Sequence, residues 1–287
     1  MNFKIKAIKI LSPLLIILFI STLAKAQTGK NSLKIVSLNG TLSEIIVSLG
    51  LQANLVGVDI TSTYPASLNK LPKVGHNRNL SAEGILALQP NLIIGIAKDI
   101  KPELAQQFKS AGIKMMLFNQ DFSFSGTQKL VLAVADSLKQ SHKASAIINK
   151  IEKDMATAKP FIKPNIKPKI LFIYARGTGT MMVAGNGTQV QKMVQLAGGQ
   201  NATTGFKDFK PLTAESLVLA NPDVILLFDT GLESLGGANG LQNVPGIAQT
   251  NAGKNKRIIV MDGQLLCGFG PRLGLAVAEL AKKLNTK

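Results

Sequence analysis

Tyr64 is one of only two tyrosines in the 287-residue chain, and its surroundings suit a ligand-binding side chain. It lies in the segment TSTYPA at 61–66, directly after a predicted buried strand. The carboxyl end of a parallel strand is where α/β folds place ligand sites, and Pro65 favours an extended backbone at Tyr64. An ionised phenol is an oxygen donor that suits Fe(III). On spacing alone, a tyrosine that packs a loop is the commoner outcome.

Basic residues in loops form a second set of candidates. Arginine has a planar fork that can donate two parallel hydrogen bonds to a carboxylate, although a single loop cation is more often a solvated surface group. The candidates for an anionic ligand are Arg78, Arg176, Lys210 and Arg272. His76 could ligate a metal, but an exposed loop histidine is commoner, and we expect His142 to be solvated.

Two glutamates occupy equivalent positions in a segment that occurs twice. The run at 81–94 matches the run at 213–226: each starts with Ser or Thr as an N-cap, continues as a short helix, breaks at Pro and enters a buried strand. Glu83 and Glu215 are each the third residue, where a carboxylate complements the helix dipole. Capping is a sufficient structural explanation, and the paired placement also suggests two contacts with a symmetric membrane partner.

The sequence contains none of the common catalytic motifs. It has no P-loop, no Gly-x-Ser-x-Gly elbow, no His-Glu-x-x-His and no Cys-x-x-Cys. Its single cysteine, Cys267, lies in an apolar stretch and is predicted to be a small buried hydrophobe. One thiol forms no internal disulfide and, with two histidines, makes a structural zinc site improbable. We therefore predict a binding protein rather than an enzyme.

Short apolar runs rich in β-branched residues alternate with amphipathic helical patterns. This alternation predicts an α/β fold with mainly parallel sheets flanked by helices. The predicted strands are residues 34–38, 55–59, 92–96, 115–118, 169–174, 181–184, 224–228 and 257–261, and the predicted helices are residues 42–49, 82–88, 102–110, 188–196 and 214–220.

The repeated segments predict two similar lobes with a cleft between them. Asn-Gly-Thr also occurs twice, at 39–41 and at 186–188, and precedes a helix each time. Apolar residues recur at helical spacing from about 127 to 158 without Pro or Gly, which predicts one helix of about thirty residues and roughly 45 Å. The predicted parts are a lobe at 27–126, a bridging helix at 127–160 and a second lobe at 161–287.

The first 26 residues have the pattern of a signal peptide. Three lysines precede an apolar run, and Ala-Lys-Ala at 24–26 supplies a cleavage pattern. The run is too short to span a bilayer comfortably, and no cysteine follows it for lipid attachment. We predict cleavage near Ala26 and a periplasmic protein that is not embedded in the membrane. The net charge of +17 suits an anionic ligand or merely reflects a basic proteome, whereas scattered lysines and export argue against nucleic acid.

Several segments resemble the periplasmic binding proteins that serve iron-siderophore, vitamin B12 and haem transporters. The general likeness is carried by KIVSLNGTLSE at 34–44. The haem-binding subgroup is favoured by TSTYP at 61–65, VGHNRNLSAE at 74–83, and MDG at 261–263 followed by GFGPR at 268–272. The likeness covers almost all of the chain after the predicted signal.

This resemblance implies a class III periplasmic binding protein, a monomer that carries haem to an ABC permease dimer and its ATPase. Tyr64 matches the axial tyrosine of the haem-binding subgroup, and Glu83 and Glu215 match the carboxylates that meet arginines of the permease. Lys210 lies where relatives place a basic residue near haem. Some relatives bind two stacked haems through a histidine of the second lobe, but Arg176 stands at that place here.

Other functions remain open at the level of the sequence. The same fold could carry a ferric siderophore or a corrinoid, an exported α/β enzyme would need a nucleophile–base pair, and an adhesion module would bind polyanions. The residues that could cover a macrocycle, or equally pack in the core, are Phe122, Phe124, Met181 and Met182.

Overall fold

The computed structural model describes residues 32–76 and 79–285. The predicted signal peptide, its cleavage site and Arg78 lie outside these residues. No helix within the described ranges combines the length and the apolar character needed to cross a bilayer.

The N-terminal lobe is built on a four-stranded parallel sheet. Its elements are β1 (Ile35–Ser37), α1 (Gly40–Ser48), β2 (Leu55–Val58), β3 (Gly75–His76), β4 (Asn79–Leu80), α2 (Ala82–Leu86), β5 (Leu92–Ile96), α3 (Pro102–Ser110) and β6 (Lys114–Phe118). The strand order is β2-β1-β5-β6, and β3 and β4 form a separate antiparallel pair. The two central strands, β1 and β5, are buried along their whole length; β5 is apolar throughout, and the one polar residue of β1, Ser37, is hydrogen-bonded.

Two helices, α4 (Phe124–Ser137) and α5 (Ser141–Ala156), follow the first lobe, where one bridging helix was predicted over 127–160. That prediction is wrong because Lys139 adopts a left-handed φ of 57°. The N–H of Lys139 donates to the carbonyl of Asp136 (2.9 Å), and the N–H of Gln140 donates to that of Ala135 (2.7 Å). These two bonds are the Schellman pattern that ends helices, usually with glycine at the left-handed position.

The helix that joins the lobes is therefore α5, with 16 residues and a length of about 24 Å. Gln128 of α4 donates to Glu152 of α5 (2.9 Å), so the two helices run back along each other. On its other side α5 packs against α12 (Leu273–Asn285) of the second lobe, the last helix of the chain.

The C-terminal lobe contains a six-stranded mixed sheet. Before α12 its elements are β7 (Lys169–Ala175), β8 (Met181–Ala184), α6 (Gln189–Leu196), β9 (Gln200–Asn201), β10 (Phe209–Pro211), α7 (Ala214–Ala220), β11 (Val224–Phe228), α8 (Asp229–Ser234), α9 (Gly237–Gln242), α10 (Asn251–Lys254), β12 (Ile258–Met261) and α11 (Gly263–Cys267). The strand order is β10-β8-β7-β11-β12, with β9 also paired to β7. Strands β7, β9, β11 and β12 are parallel, whereas β8 is antiparallel to its neighbours β7 and β10.

Apart from the bridging helix, all eight predicted strands and the five predicted shorter helices are present, and their bounds differ from the prediction by at most two residues. The predicted α/β class with mainly parallel sheets is confirmed. The largest apolar core is continuous across both lobes: it includes Leu42 of α1, Ile151 of α5, Phe172 of β7 and Val277 of α12.

Candidate functional site

The segment after α11 reaches across to the first lobe. Thr41 Oγ1 donates to the carbonyl of Gly268, and Gln120 Nε2 donates to the same oxygen (2.8 Å). Thr127 Oγ1 donates to the carbonyl of Phe269 (3.1 Å). The start of α1, the segment from β6 into α4 and the segment after α11 thus meet, and the two lobes contact each other near the carboxyl ends of β1, β6 and β12.

Gly40 lies at a close approach between the two lobes. A Cβ atom at this position would lie 2.7 Å from the carbonyl oxygen of Thr61 and 2.5 Å from the side chain of Gln264. The Gln264 amide comes from α11 and reaches the first lobe; with its oxygen and nitrogen exchanged, the nitrogen donates to the Thr61 carbonyl (3.3 Å) and the oxygen accepts from the Thr41 N–H (3.1 Å). The absence of a side chain at residue 40 is what makes room for this contact.

Tyr64 lies beside this contact, on the loop after β2. Its side chain is 47% exposed. The guanidinium carbon of Arg272, which belongs to the second lobe, lies 3.8 Å from the centroid of the Tyr64 ring. This is a close cation–π contact, which orients the ring and places a positive charge beside the phenol.

Arg272 is in turn paired with Glu44, a residue of α1 that the sequence analysis did not single out. The distances are 3.0 Å from Nε to Oε2 and 2.5 Å from Nη2 to Oε1. The Glu44 and Arg272 side chains are only 5% and 16% exposed. Burial raises the pKa of Glu44, and Arg272 acts in the opposite direction. The one available sequence signal was a carboxylate inside an otherwise apolar helix.

The Tyr64 loop is anchored by hydrogen bonds to Asp59, which is fully buried. Asp59 accepts hydrogen bonds from the Thr61 N–H (3.1 Å), the Thr61 hydroxyl (2.5 Å) and the Ser62 hydroxyl (2.6 Å). Ser62 is also hydrogen-bonded to Ser43 (2.7 Å), which donates to Ser37 (2.8 Å). Burial raises the pKa of Asp59 despite the hydroxyl donors. This buried polar network ties the Tyr64 loop to α1 and β1.

Two other predicted cations, Arg176 and Lys210, are exposed and lie over aromatic rings of their own lobe. Arg176, directly after β7, lies 5.5 Å from the ring centroid of Tyr174, and Lys210 of β10 lies 4.9 Å from that of Phe206. Of the predicted cations in the described residues, Arg272 is therefore the one that contacts Tyr64. His76 and His142 are half-buried and exposed, respectively.

Two aromatic residues pack across the contact between the lobes. The rings of Phe122, after β6, and buried Phe269 are edge to face with centroids 5.5 Å apart. Lys98 lies 4.9 Å from the Phe122 centroid and is a cation that the sequence analysis missed. Phe122 and Phe124 pack against the large core, whereas Met181 packs against the smaller core of the second lobe.

Residues 35–265 match a family model described as periplasmic binding protein. The chain belongs to this family. The predicted resemblance and the class III fold are confirmed, because solved structures of the same kind superpose on almost the whole chain. RhuT from Roseiflexus sp. RS-1, a periplasmic haem-binding protein in apo form, is 40% identical, with a TM-score of 0.84 over 89% of this chain and 98% of that one.

Two further haem-binding structures are similar to this binding protein. BhuT, in complex with two haems, is 35% identical, with a TM-score of 0.83 over 89% of this chain and 98% of that one. HutB of Vibrio cholerae is 32% identical, with a TM-score of 0.79 over 89% of this chain and 100% of that one.

Sequence relatives of this binding protein are named for different roles. YvrC of Bacillus subtilis (strain 168), called an uncharacterized ABC transporter substrate-binding lipoprotein, is 29% identical over 89% of this chain and 81% of its own length. A vitamin B12-binding protein of Photorhabdus laumondii subsp. laumondii is 21% identical over 94% of both chains.

Both repeated glutamates of this binding protein are exposed in the first turn of a helix, Glu83 in α2 and Glu215 in α7. Thr213 caps α7 as predicted, because its side chain accepts from the N–H of Ser216 (3.2 Å). Ser81 occupies the N-cap position of α2, but its side chain makes no capping hydrogen bond, so this part of the prediction is wrong. Leu219, four residues after Glu215 and on the same helix face, is 88% exposed.

The described residues contain no group of three or more His, Cys, Asp or Glu side chains that could hold a metal ion. Cys267 was predicted to be buried; it is half-buried and packs against the large core, and desolvation raises the pKa of its thiol to about 12.

Proposed function

We propose that this chain captures haem between its two lobes, with the Tyr64 phenolate as an axial ligand of the ferric iron. The observation that carries the proposal is a half-exposed phenol at the contact between the lobes, with a guanidinium 3.8 Å from its ring centroid. A porphyrin supplies four nitrogen ligands, so one protein oxygen completes an axial position. The haem-binding structures that share the fold support this choice of ligand.

The anionic propionates of haem need cationic partners at the cleft. We assign this role to Arg176 and Lys210, which are exposed, and to Arg78 on the strength of its sequence position. Arg272 was predicted for the same role, but two of its nitrogens already bind Glu44, and we assign it to Tyr64 instead.

Delivery of haem would use an ABC permease dimer and its ATPase in the inner membrane. Glu83 and Glu215 are exposed at equivalent positions of the two lobes, as two contacts with a symmetric partner require. We propose that this chain acts as a monomer in the periplasm after removal of residues 1–26, since its relatives include periplasmic and ABC-type substrate-binding proteins.

The test is a haemin titration of the purified protein, followed by absorption spectroscopy. We expect the wild type to develop a ferric–tyrosinate charge-transfer band, and Tyr64→Phe to lose it, since this variant keeps the ring over Arg272 and removes only the hydroxyl. Tyr174→Phe is the matched control, because Tyr174 is the other tyrosine of the chain and also lies near an arginine. The ligand assignment is wrong if Tyr64→Phe keeps the band or if Tyr174→Phe alone loses it.

A corrinoid or a ferric siderophore is the second candidate ligand, and the vitamin B12-binding relatives favour the corrinoid. Neither ligand requires the Tyr64 oxygen. Cyanocobalamin and a ferric siderophore, each added in competition with haemin, separate the candidates: tighter binding of either one, unchanged in Tyr64→Phe, would replace haem as the proposed ligand.

A further inference from the structure

Tyr64 is connected to a buried carboxylate of its own lobe through a residue of the opposite lobe. Glu44 on α1 binds Arg272, and Arg272 lies against the face of the Tyr64 ring. Two elements of the first lobe therefore meet around one side chain of the second.

The geometry of the pair fixes the plane of the guanidinium. Two nitrogens of Arg272 donate to two different oxygens of Glu44, at 3.0 Å and 2.5 Å, and such a forked pair leaves the planar group little freedom to rotate. The central carbon of this guanidinium lies over the Tyr64 ring, 3.8 Å from its centroid. Displacement of the guanidinium would therefore remove the contact that orients the ring.

Burial keeps the pair together. The Glu44 and Arg272 side chains are 5% and 16% exposed, and an unpaired charge at such a position is strongly unfavourable. The negative charge of Glu44 also offsets the positive charge of Arg272. Arg272 is therefore a poor partner for a ligand carboxylate.

We propose that Glu44 is a positioning residue for the iron ligand: it fixes Arg272, and Arg272 fixes the ring and oxygen of Tyr64. This inference rests on the proposed function. Because Arg272 belongs to the second lobe, the oriented phenol exists only while the lobes are in contact. The orientation of the proposed iron ligand thus depends on contact between the two lobes.

The experiment is a double-mutant cycle with Glu44→Gln and Arg272→Lys, measured by haemin titration. Glu44→Gln keeps the size of the side chain and removes its charge, whereas Arg272→Lys keeps the positive charge and removes the planar fork. Glu279→Gln is the control, since Glu279 forms an ion pair with Lys283 (2.8 Å) on α12 and has no assigned role in binding. Glu44→Asp, which keeps the charge and shortens the reach, replaces Glu44→Gln should the latter fail to fold.

We expect each single variant to raise the haemin dissociation constant about tenfold to a hundredfold and to shift the charge-transfer band. The double variant should be no weaker than the weaker single variant, because both changes break the same connection. Glu279→Gln should behave as the wild type. The inference is overturned if Glu44→Gln binds like the wild type with an unshifted band, or if the two single effects multiply in the double variant. If the wild type shows no charge-transfer band that depends on Tyr64, the proposed function itself is refuted.

Discussion

Gly40→Ala is expected to destabilise the protein, although alanine is normally the better residue in a helix. Gly40 is the first residue of α1, and replacement of a helical glycine by alanine usually gains up to about 1 kcal/mol. Here the new Cβ would lie 2.7 Å from a backbone oxygen of Thr61, so the Tyr64 loop must shift. Overpacking of this kind costs about 1–3 kcal/mol, and we expect a net loss of stability.

Gly84→Ala is the matched control for this substitution. Gly84 lies within α2, and a Cβ atom there would meet nothing within 4 Å. The same chemical change should therefore stabilise the protein by up to about 1 kcal/mol. In a protein of this size, 1 kcal/mol shifts the Tm by about 2–4 °C.

Thermal unfolding of the wild type and both variants tests this prediction through the sign of the shift in Tm. The Tm should fall for Gly40→Ala and rise for Gly84→Ala, and haemin binding should weaken in Gly40→Ala because the Tyr64 loop has moved. An increase in Tm for both variants would refute the close approach of Thr61 and Gln264 to α1.

Three further outcomes are expected. Burial raises the pKa of the Asp59 carboxyl, so its contribution to stability is present below the carboxyl pKa of the unfolded chain and is lost as pH rises through the folded pKa. In Asp59→Asn the Tm should therefore decline less steeply with rising pH than in the wild type. An unchanged slope would contradict this. Iodoacetamide at about pH 8 should label Cys267 far more slowly in the folded protein than in urea, which equal rates would disprove. Glu83→Lys combined with Glu215→Lys should abolish haem uptake by cells while haemin still binds; undiminished uptake argues against docking through these residues.

Local sequence patterns were sufficient to predict most of the fold. The central strands were found because each is a short, fully apolar run between turn residues, as at Leu92–Ile96. The end of α4 was missed because a lysine, Lys139, occupies the left-handed position where glycine is the usual signal. The long α12 was missed as well, although its apolar residues recur at helical spacing.

The candidate site was predictable only in part. Tyr64 was found because it follows a strand and precedes proline, which are both local properties. The pairing of Glu44 with Arg272 joins residues 228 positions apart, and only the folded chain brings them together. For the same reason Arg272 was predicted to bind a ligand carboxylate, whereas its guanidinium binds a carboxylate of the protein itself.

The core that runs through both lobes has a consequence for how the protein melts. Apolar side chains of α1, α5, β7 and α12 belong to one cluster, so neither half can lose its packing without exposing part of the other. Two lobes with separate interiors would unfold in two calorimetric steps, whereas a shared interior favours a single cooperative transition. The lobes are distinct in topology and sequence repeat, yet we expect them to unfold as one thermodynamic unit.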